Sequence, residues 1–278
     1  MIRAHSAPIA TMPRAQYTGD FVAWTGGAMF IGSGGGTVQP HAHYAIQIVV
    51  GAPGGLLVQD GRRGAWTPCA GAIIPSRTVH SIDVGACAWS AVVFVEPETT
   101  AGKALAVRTE RRVRFLEPQD LSATMGALEQ AWRDARSVAA VRDAAHHLLS
   151  SLSGTSASAP SDARVLKVIE YLRDRPDEAP SLEDVARAVH LSPSRLRHLF
   201  VEETGMPLRT YQLWRRVLRV WEFLMQGETL AGAAHAAGFS DSAHLSRTCR
   251  TMFGLAPSAM QMSGPLSERL RRPPHYLG

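Results

Sequence analysis

Between Ser181 and Met260 the chain carries the same supersecondary unit twice, and few architectures accommodate that. The first copy reads SLEDVARAVHLSPSRLRHLFVEETG, Ser181 to Gly205, and the second TLAGAAHAAGFSDSAHLSRTCRTMFG, Thr229 to Gly254. Leu182, Val185, Ala186, Leu191 and Ser192 align with Leu230, Ala233, Ala234, Phe239 and Ser240. After one extra residue, Leu196, Phe200 and Gly205 align with Leu245, Cys249 and Gly254. The apolar positions of the first copy recur at helical spacing. Ser192 is placed to cap a second helix, Pro193 suits its first position, and Gly205 suits a left-handed stop. Leu196, Leu199 and Phe200 then face inward, leaving Ser194, Arg195, Arg197 and His198 outside. Two short helices around a tight turn, the second with a basic outer face, predict a helix-turn-helix that can enter a DNA major groove. A plain helical bundle with a solvated Arg-rich face explains one copy equally well. It does not explain two.

The segment between the copies, LRTYQLWRRVLRVWEFLM, predicts one helix from Leu208 to Met225. At 1.5 Å per residue it spans about 27 Å, enough to set two recognition helices roughly one DNA turn (about 34 Å) apart. Over Ser181 to Met260 the chain resembles the DNA-binding domain of the AraC/XylS family of bacterial transcription regulators, with GFSDSAHLSRTCRTMFGLAPSAM over the family signature. Gly238, Phe239, Ser246, Arg247, Phe253, Gly254 and Pro257 stand where that signature requires them. Ala233 and Cys249 are smaller than the residues usual there, Leu245 stands where Phe is frequent, and Val220 replaces a common Ala. The resemblance implies base-edge contacts from Ser194, Arg197 and His198, with Arg195 beside them, and from Ser242, His244 and Arg247 in the second unit. Ser192 and Ser240, at the helix starts, suit backbone phosphates. An Arg forked onto guanine is the commonest specific contact, which singles out Arg197 and Arg247. Phosphate contact, or bracing of the fold, is the alternative for Arg247. Arg216 matches a structural Arg of the joining helix.

The N-terminal half has a different grammar. From Phe21 to about Val95, short apolar runs alternate with Gly and Pro clusters such as GSGGG, GAPGG and DGRRG, which predicts an all-β barrel or sandwich. Asp60-Gly61 fits a hairpin turn. His41, His43 and Gln47 fall at odd positions of one predicted strand and so share a face, with His80 following after IPSRTV. This spacing resembles a cupin barrel, and also the β-barrel sensor that precedes many AraC-type DNA-binding domains. Gln47 replaces the usual Glu, and Arg77 the usual Gly of the second cupin motif. Three readings stay open for His41, His43, Gln47 and His80: a divalent metal, direct contact with a small effector, or a polar core. Arg77 is a candidate partner for an anionic effector, with a solvated loop as its alternative. Trp24, Trp66 and Trp89 are candidates for the cavity wall or for plain core.

Leu121, Met125, Leu128 and Trp132, then Val138 through Leu152, give two helical stripes that pack on the barrel and, in the resembled family, commonly form a dimer contact. The chain is thus read as an α+β two-domain protein. A cupin-like effector-binding and dimerisation domain covers 1–152, a linker 153–161, an all-α double helix-turn-helix domain 162–262, and a basic flexible tail 263–278. Length agrees with two cores, since 278 residues exceed what one usually fills.

The net charge of +5 is a weak pointer, but from Arg187 onward there are 12 Arg, 6 acidic residues and no Lys. That bias suits phosphate and guanine, and equally a GC-rich genome. No run is long enough for a membrane helix, and the N-terminus lacks a secretory layout. Three scattered cysteines fit a reduced, cytoplasmic protein. The expected partners are double-stranded DNA, a small-molecule effector, a second copy of the chain and, for an activator, RNA polymerase. No cofactor is required beyond a divalent metal in the barrel, and no catalytic residue is assigned. The rival reading is a metal-dependent cupin enzyme fused to a DNA-binding domain.

Overall fold

The computed structural model describes residues 17–51, 55–134, 137–154, 162–175 and 180–271. Nine strands come first: β1 (Tyr17–Trp24), β2 (Gly27–Gly34), β3 (Thr37–His41), β4 (Ile46–Gly51), β5 (Leu56–Asp60), β6 (Trp66–Cys69), β7 (Gly71–Ile74), β8 (His80–Asp83) and β9 (Ser90–Val95). Helix α1 (Thr100–Thr109), strand β10 (Arg114–Leu116) and helices α2 (Pro118–Leu121), α3 (Met125–Asp134) and α4 (Val138–Ser153) complete the N-terminal domain. The C-terminal domain holds α5 (Ala163–Arg173), α6 (Leu182–Ala188), α7 (Pro193–Thr204), α8 (Leu208–Met225), α9 (Leu230–Ala236) and α10 (Ser242–Phe253). A 3-10 turn (Pro257–Ala259), strand β11 (Met260–Met262) and helix α11 (Pro265–Arg271) end the described chain. No described helix is long and apolar enough to cross a membrane.

The strands form two facing sheets rather than a closed barrel. One has seven strands in the order β10-β7-β4-β9-β2-β1-β11, the other four in the order β3-β8-β5-β6. Strict alternation sorts the larger sheet: Ile46, Ile48 and Val50 face one way, Gln47 and Val49 the other. The first face packs on α1 and α4. On the second, Val49, Ala72 and Ile74 meet Leu56, Val58 and Ile82 of the smaller sheet. Farther along that face, Phe21, Phe30 and Phe94 are covered by the helical domain instead. Docking of α8 and α10 does there what barrel closure would have done. The Asp60-Gly61 turn joins β5 to β6 as expected, with Gly61 at φ +74°.

Helix α8 matches the predicted joining helix end to end, but it buries more than one stripe. Tyr211, Trp214 and Trp221 are fully covered, with Val217, Val220 and Met225. Trp214 stacks on Phe253 of α10 at 5.4 Å between ring centroids and meets Phe94 edge-on at 5.6 Å; Trp221 meets Phe30 at 5.1 Å. The two cores are therefore one contiguous core.

The basic tail is not loose over its described part, which corrects that expectation. Strand β11 pairs in parallel with β1 at the edge of the larger sheet, Tyr17 beside Met260 and Gly19 beside Met262. Helix α11 follows, and its start is held by Asp20: the carboxylate, fully buried, accepts from the N–H groups of Leu266 (3.1 Å) and Ser267 (2.8 Å) and from Trp132 Nε1 (2.8 Å). Gly264 passes so close that a Cβ there would overlap the Asp20 carboxylate. Arg271 then donates to Leu224 O and Met262 O at 2.8 and 2.6 Å. An acidic side chain suits a helix start because its first N–H groups lack intrahelical partners. Residues 272–278, the arm 1–16 and linker residues 155–161 lie outside the described residues, while Ser153 belongs to α4.

Asp20→Ala should cost about 3 kcal/mol in urea unfolding, because three buried donors lose their acceptor. Hydrogen exchange in residues 260–271 should speed up more than in β4 or β9.

Candidate nucleic-acid interface and ligand site

Both helix-turn-helix units form by the same local chemistry. Ser181 caps α6 and Thr229 caps α9, each accepting from the N–H three residues on, Asp184 and Gly232. The turns close identically, Leu191 N–H to Ala186 O and Phe239 N–H to Ala234 O, both 2.9 Å. A left-handed residue makes each turn, His190 at φ +56° and Gly238 at φ +78°. Ser192 caps α7 by accepting from Arg195 N–H, with Pro193 at the first position, as the sequence predicts. Gly205 and Gly254 end α7 and α10 in the left-handed conformation.

The second cap differs from expectation. It is Asp241, which accepts from His244 N–H at 2.6 Å, and Ser240 is the inserted residue of the repeat. Its hydroxyl donates to Asp241 Oδ2 at 3.0 Å. That backbone bond and the Ser240 hydroxyl hold the Asp241 carboxyl below its ordinary range, so an anion sits where a phosphate was expected. Counted from the caps, Arg197 corresponds to Ser246 and His198 to Arg247. The two units therefore present different side chains at equivalent positions.

Ser192, Ser194, Arg195, Arg197 and His198 are all exposed, as are Ser240, Ser242 and Arg247. His244 is half-buried, its ring 5.2 Å from Phe239. Docking of the two domains leaves both outer faces open. What docks is the far end of each recognition helix. Gly205 O accepts from Arg77 Nη1 at 2.8 Å, and Gly254 sits against His41 and Gln39. Arg77, at φ +62°, thus ties the N-terminal domain to the first unit and is not among the residues lining the cavity described next. Arg216 donates weakly to Gly238 O at 3.4 Å, a structural contact as expected.

His41, His43, Gln47 and His80 do converge, although not from one strand. His41 ends β3, His43 lies in the following turn, and Gln47 opens β4. One ring nitrogen of each histidine lies within 4.8 Å of the others'. Each Nδ1 donates to a backbone carbonyl: His41 to Gln39 O (2.9 Å), His43 to Ala45 O (2.8 Å) and His80 to Thr78 O (2.9 Å). Carbonyls only accept, so the proton is on Nδ1 and each neutral ring keeps a lone pair on Nε2. Burial favours that neutral state, pushing His43 down to about 4 and His41 and His80 down as well. Gln47 Oε1 stands 2.8 Å from His43 Nε2 and 3.3 Å from His80 Nε2, acceptor facing acceptor, while its Nε2 has no partner among the described residues. Either the amide turns over and donates to both rings, or a cation sits among the four groups.

Beside this cluster lies a cavity of about 720 Å³ shared by the two domains. His41, Gln47, Phe30, Phe94 and Ser90 line it from the sheets, and Arg250, Phe253, Leu255 and Met260 from the helical side. Ser90 Oγ, fully buried, has no partner among the described residues. Trp24, Trp66 and Trp89 are elsewhere: Trp24 packs on His146, Trp66 is exposed, and Trp89 is core.

A second polar cluster between the domains was not foreseen. Glu96 and Glu98, both buried, lie together at the end of β9; Tyr44 donates to Glu98, and Tyr211 and Arg215 of α8 stand beside them. Burial, then the neighbouring Glu98, raises Glu96 to about 8, and burial raises Glu98 as well. No periodicity marks a carboxylate just beyond a strand, so the sequence carried no signal for it.

A raised carboxyl favours the folded state while it holds its proton. The contribution of Glu96 is full below about 4.5 and is lost as pH climbs through about 8. Thermal unfolding of the full chain should therefore show falling stability across that window, and Glu96→Gln should flatten the dependence.

A sequence profile described as "Helix-turn-helix domain" matches residues 185–263. The arabinose operon regulatory proteins of Salmonella typhimurium and Escherichia coli are each 32% identical over 104 residues, covering 36% of this chain and 36% and 35% of theirs. The regulatory protein ada of Salmonella typhimurium is 33% identical over 84 residues, 30% of this chain and 24% of its own. The chain thus spans about a third of the length of the curated relatives it matches first. In three dimensions the crystal structure of ToxT from Vibrio cholerae O395 covers 88% of this chain and 94% of its own, with a TM-score of 0.52 at 11% identity. Another ToxT structure, bound to (E)-4-(8-methylnaphthalen-1-yl)but-3-enoic acid, covers 87% and 97% with a TM-score of 0.50 at 10% identity. These likenesses show a shared two-domain fold.

Proposed function

This chain carries an AraC-type helix-turn-helix domain, and from that premise we propose that the whole protein is a sequence-specific, DNA-binding transcription regulator answering to a small molecule. One observation carries the reading: the outer faces of α7 and α10 are open while the cavity behind them has walls from both domains. A ligand there touches the sheet and the end of α10 at once, so its affinity must differ between docked and undocked arrangements. That difference shifts the equilibrium between them. About 720 Å³ is within the usual range for organic ligands, the class to which the acid bound by ToxT belongs.

Arg197, Ser194 and His198 read bases in the first unit, with Arg195 and Ser192 on phosphates; Ser242, His244 and Arg247 read in the second. The Asp241 carboxylate shifts phosphate contact there from the helix start to side chains. The effector site comprises His41, His43, Gln47 and His80, without Arg77. We assign residues 1–152 to the sensor, 153–161 to the linker and 162–262 to DNA binding, with 263–271 as part of the docked interface. The regulator works in the cytoplasm as a homodimer, with RNA polymerase as a partner where it activates.

The four converging groups also fit a divalent cation. Three neutral imidazoles with Nδ1 anchored are the arrangement metal ligands usually take, and a cation would relieve the opposed lone pairs at Gln47. Bound there, it would supply a Lewis-acidic anchor for an effector's oxygen or nitrogen. The ligand set of three histidines and a glutamine is assigned to binding rather than catalysis. Metal analysis of untagged protein tests this directly.

Genomic-fragment selection with the full-length protein at two salt concentrations tests the main reading. It should return a motif of two blocks about one helical turn apart; salt-sensitive, sequence-blind retention would defeat it. Arg197→Ala should cost about 1–3 kcal/mol and relax preference at one base pair. A uniform loss across sequences would make Arg197 a phosphate contact.

A further inference from the structure

Resting on the cation reading above, we infer that the three-histidine site is energetically linked to the second helix-turn-helix unit through the seat of Gly254 on His41. Gly254 is the residue at which the second recognition helix stops, φ +69°, its N–H donating to Arg250 O at 3.1 Å. It fits because it has no side chain. A Cβ there would overlap Gln39 O and come within 2.6 Å of His41 Nδ1 and 2.7 Å of Val38 Cγ1. Gln39 O is also the acceptor that fixes the His41 ring, at 2.9 Å. The strand that aims a ligand at the site is thus the surface on which the recognition helix rests.

A second route runs through His43. Its ring meets Phe94 edge-on at 5.1 Å, and Phe94 meets both Trp214 (5.6 Å) and Phe253 (5.4 Å). Phe253 immediately precedes Gly254, so both routes end on the same turn of chain. That turn continues into Leu255, Ala256 and Met260 along the cavity wall and then into β11.

The histidine nitrogens now lie up to 4.8 Å apart. Metal–imidazole bonds of about 2.0–2.1 Å require them to draw together. Close-packed contacts such as those at Gly254 do not absorb such a shift smoothly; they hold or they give. The first unit is connected less directly: Gly205 meets the Arg77 side chain, whose backbone N–H donates to His43 O at 2.8 Å, and no histidine ring is among the nearest atoms to Gly205. The linkage is therefore more direct to the second unit than to the first.

The test uses untagged, chelator-stripped full-length protein titrated with cobalt(II) and, separately, zinc(II). Cobalt absorption reports binding, and amide hydrogen exchange reports where its effect travels. Cation binding should change exchange about five-fold or more in residues 250–262 as well as around His41 and His80. Residues 193–205 of the first recognition helix should change less than half as much. His80→Gln, which touches neither Gly254 nor Phe253, should abolish both the binding and the distant effect. Cation binding with a response confined to the sensor strands would overturn the linkage and leave the cation site standing. Failure to bind either cation would remove the cation reading and this inference with it, while the assignment as a DNA-binding regulator would stand on its own test. A response spread equally over both recognition helices would also overturn it, since general tightening would then suffice.

Discussion

The stacking of Phe253 on Trp214 joins the two halves of this protein, and nearly everything functional is positioned from it. Trp214 lies mid-way along the helix that both DNA-binding units share, and Phe253 is the last residue of the second recognition helix. Phe94 meets both rings edge-on, and Phe30 reaches Trp221 and Phe253 at 5.1 and 6.4 Å. Aromatic pairs of this kind each add about 0.5–1.5 kcal/mol beyond their buried area, and here several share members. A helix held this way cannot rotate in one unit without moving the other.

The two units depend on that arrangement unequally. The first has a core of its own, with Val185, Leu196, Leu199 and Phe200 fully covered by one another and by α5 and α8. The second has Ala233, Leu245, Thr248 and Cys249 in the corresponding places, a smaller set. All four are buried, and burial pushes the Cys249 thiol up to about 12, which keeps it an inert apolar filler. The missing volume is made up from outside: Phe253 packs into the aromatic group, Gly254 on β3, and Met260 to Met262 on β1. On the proposed function, a unit that takes part of its core from the N-terminal domain is the one that domain can control. The self-contained unit is better suited to anchoring.

Much of this was legible in the sequence where a pattern repeats. The duplicated unit, its cap at Ser192, the stop at Gly205 and the helix from Leu208 to Met225 all follow from local spacing, and the structure has them. The convergence of His41, His43, Gln47 and His80, which the cupin resemblance implied, is also present, although a break after His41 replaces the single strand that the spacing implied. What the spacing did not carry is whatever depends on distant partners. Strand β11 is three residues long and exists because β1 offers an edge. Asp20 reads as an ordinary acid in a strand until α11 arrives from 246 residues away. Arg77 looks like a loop cation and proves to be a tie to Gly205. One sign was available and went unused: Tyr211, Trp214, Val217, Val220 and Trp221 cover too much of one helix for a single packing partner.

The interface also contains two kinds of contact with opposite tolerance for change. Its aromatic part is indifferent to pH and ions and fixes which surfaces meet. Its polar part does not have one settled state: Glu96 and Glu98 repel when both are charged, and Gln47 faces two lone pairs. Buried polar groups left partly unsatisfied weigh heavily, because the low dielectric strengthens repulsion as it strengthens attraction. Small chemical events at either cluster, a proton or a cation, therefore act on an interface whose geometry is already set. A purely apolar interface would hold the domains together and report nothing. Placing the unsettled groups against α8 and the end of α10, rather than deep in the N-terminal domain, puts their free energy where the two helix-turn-helix units meet it.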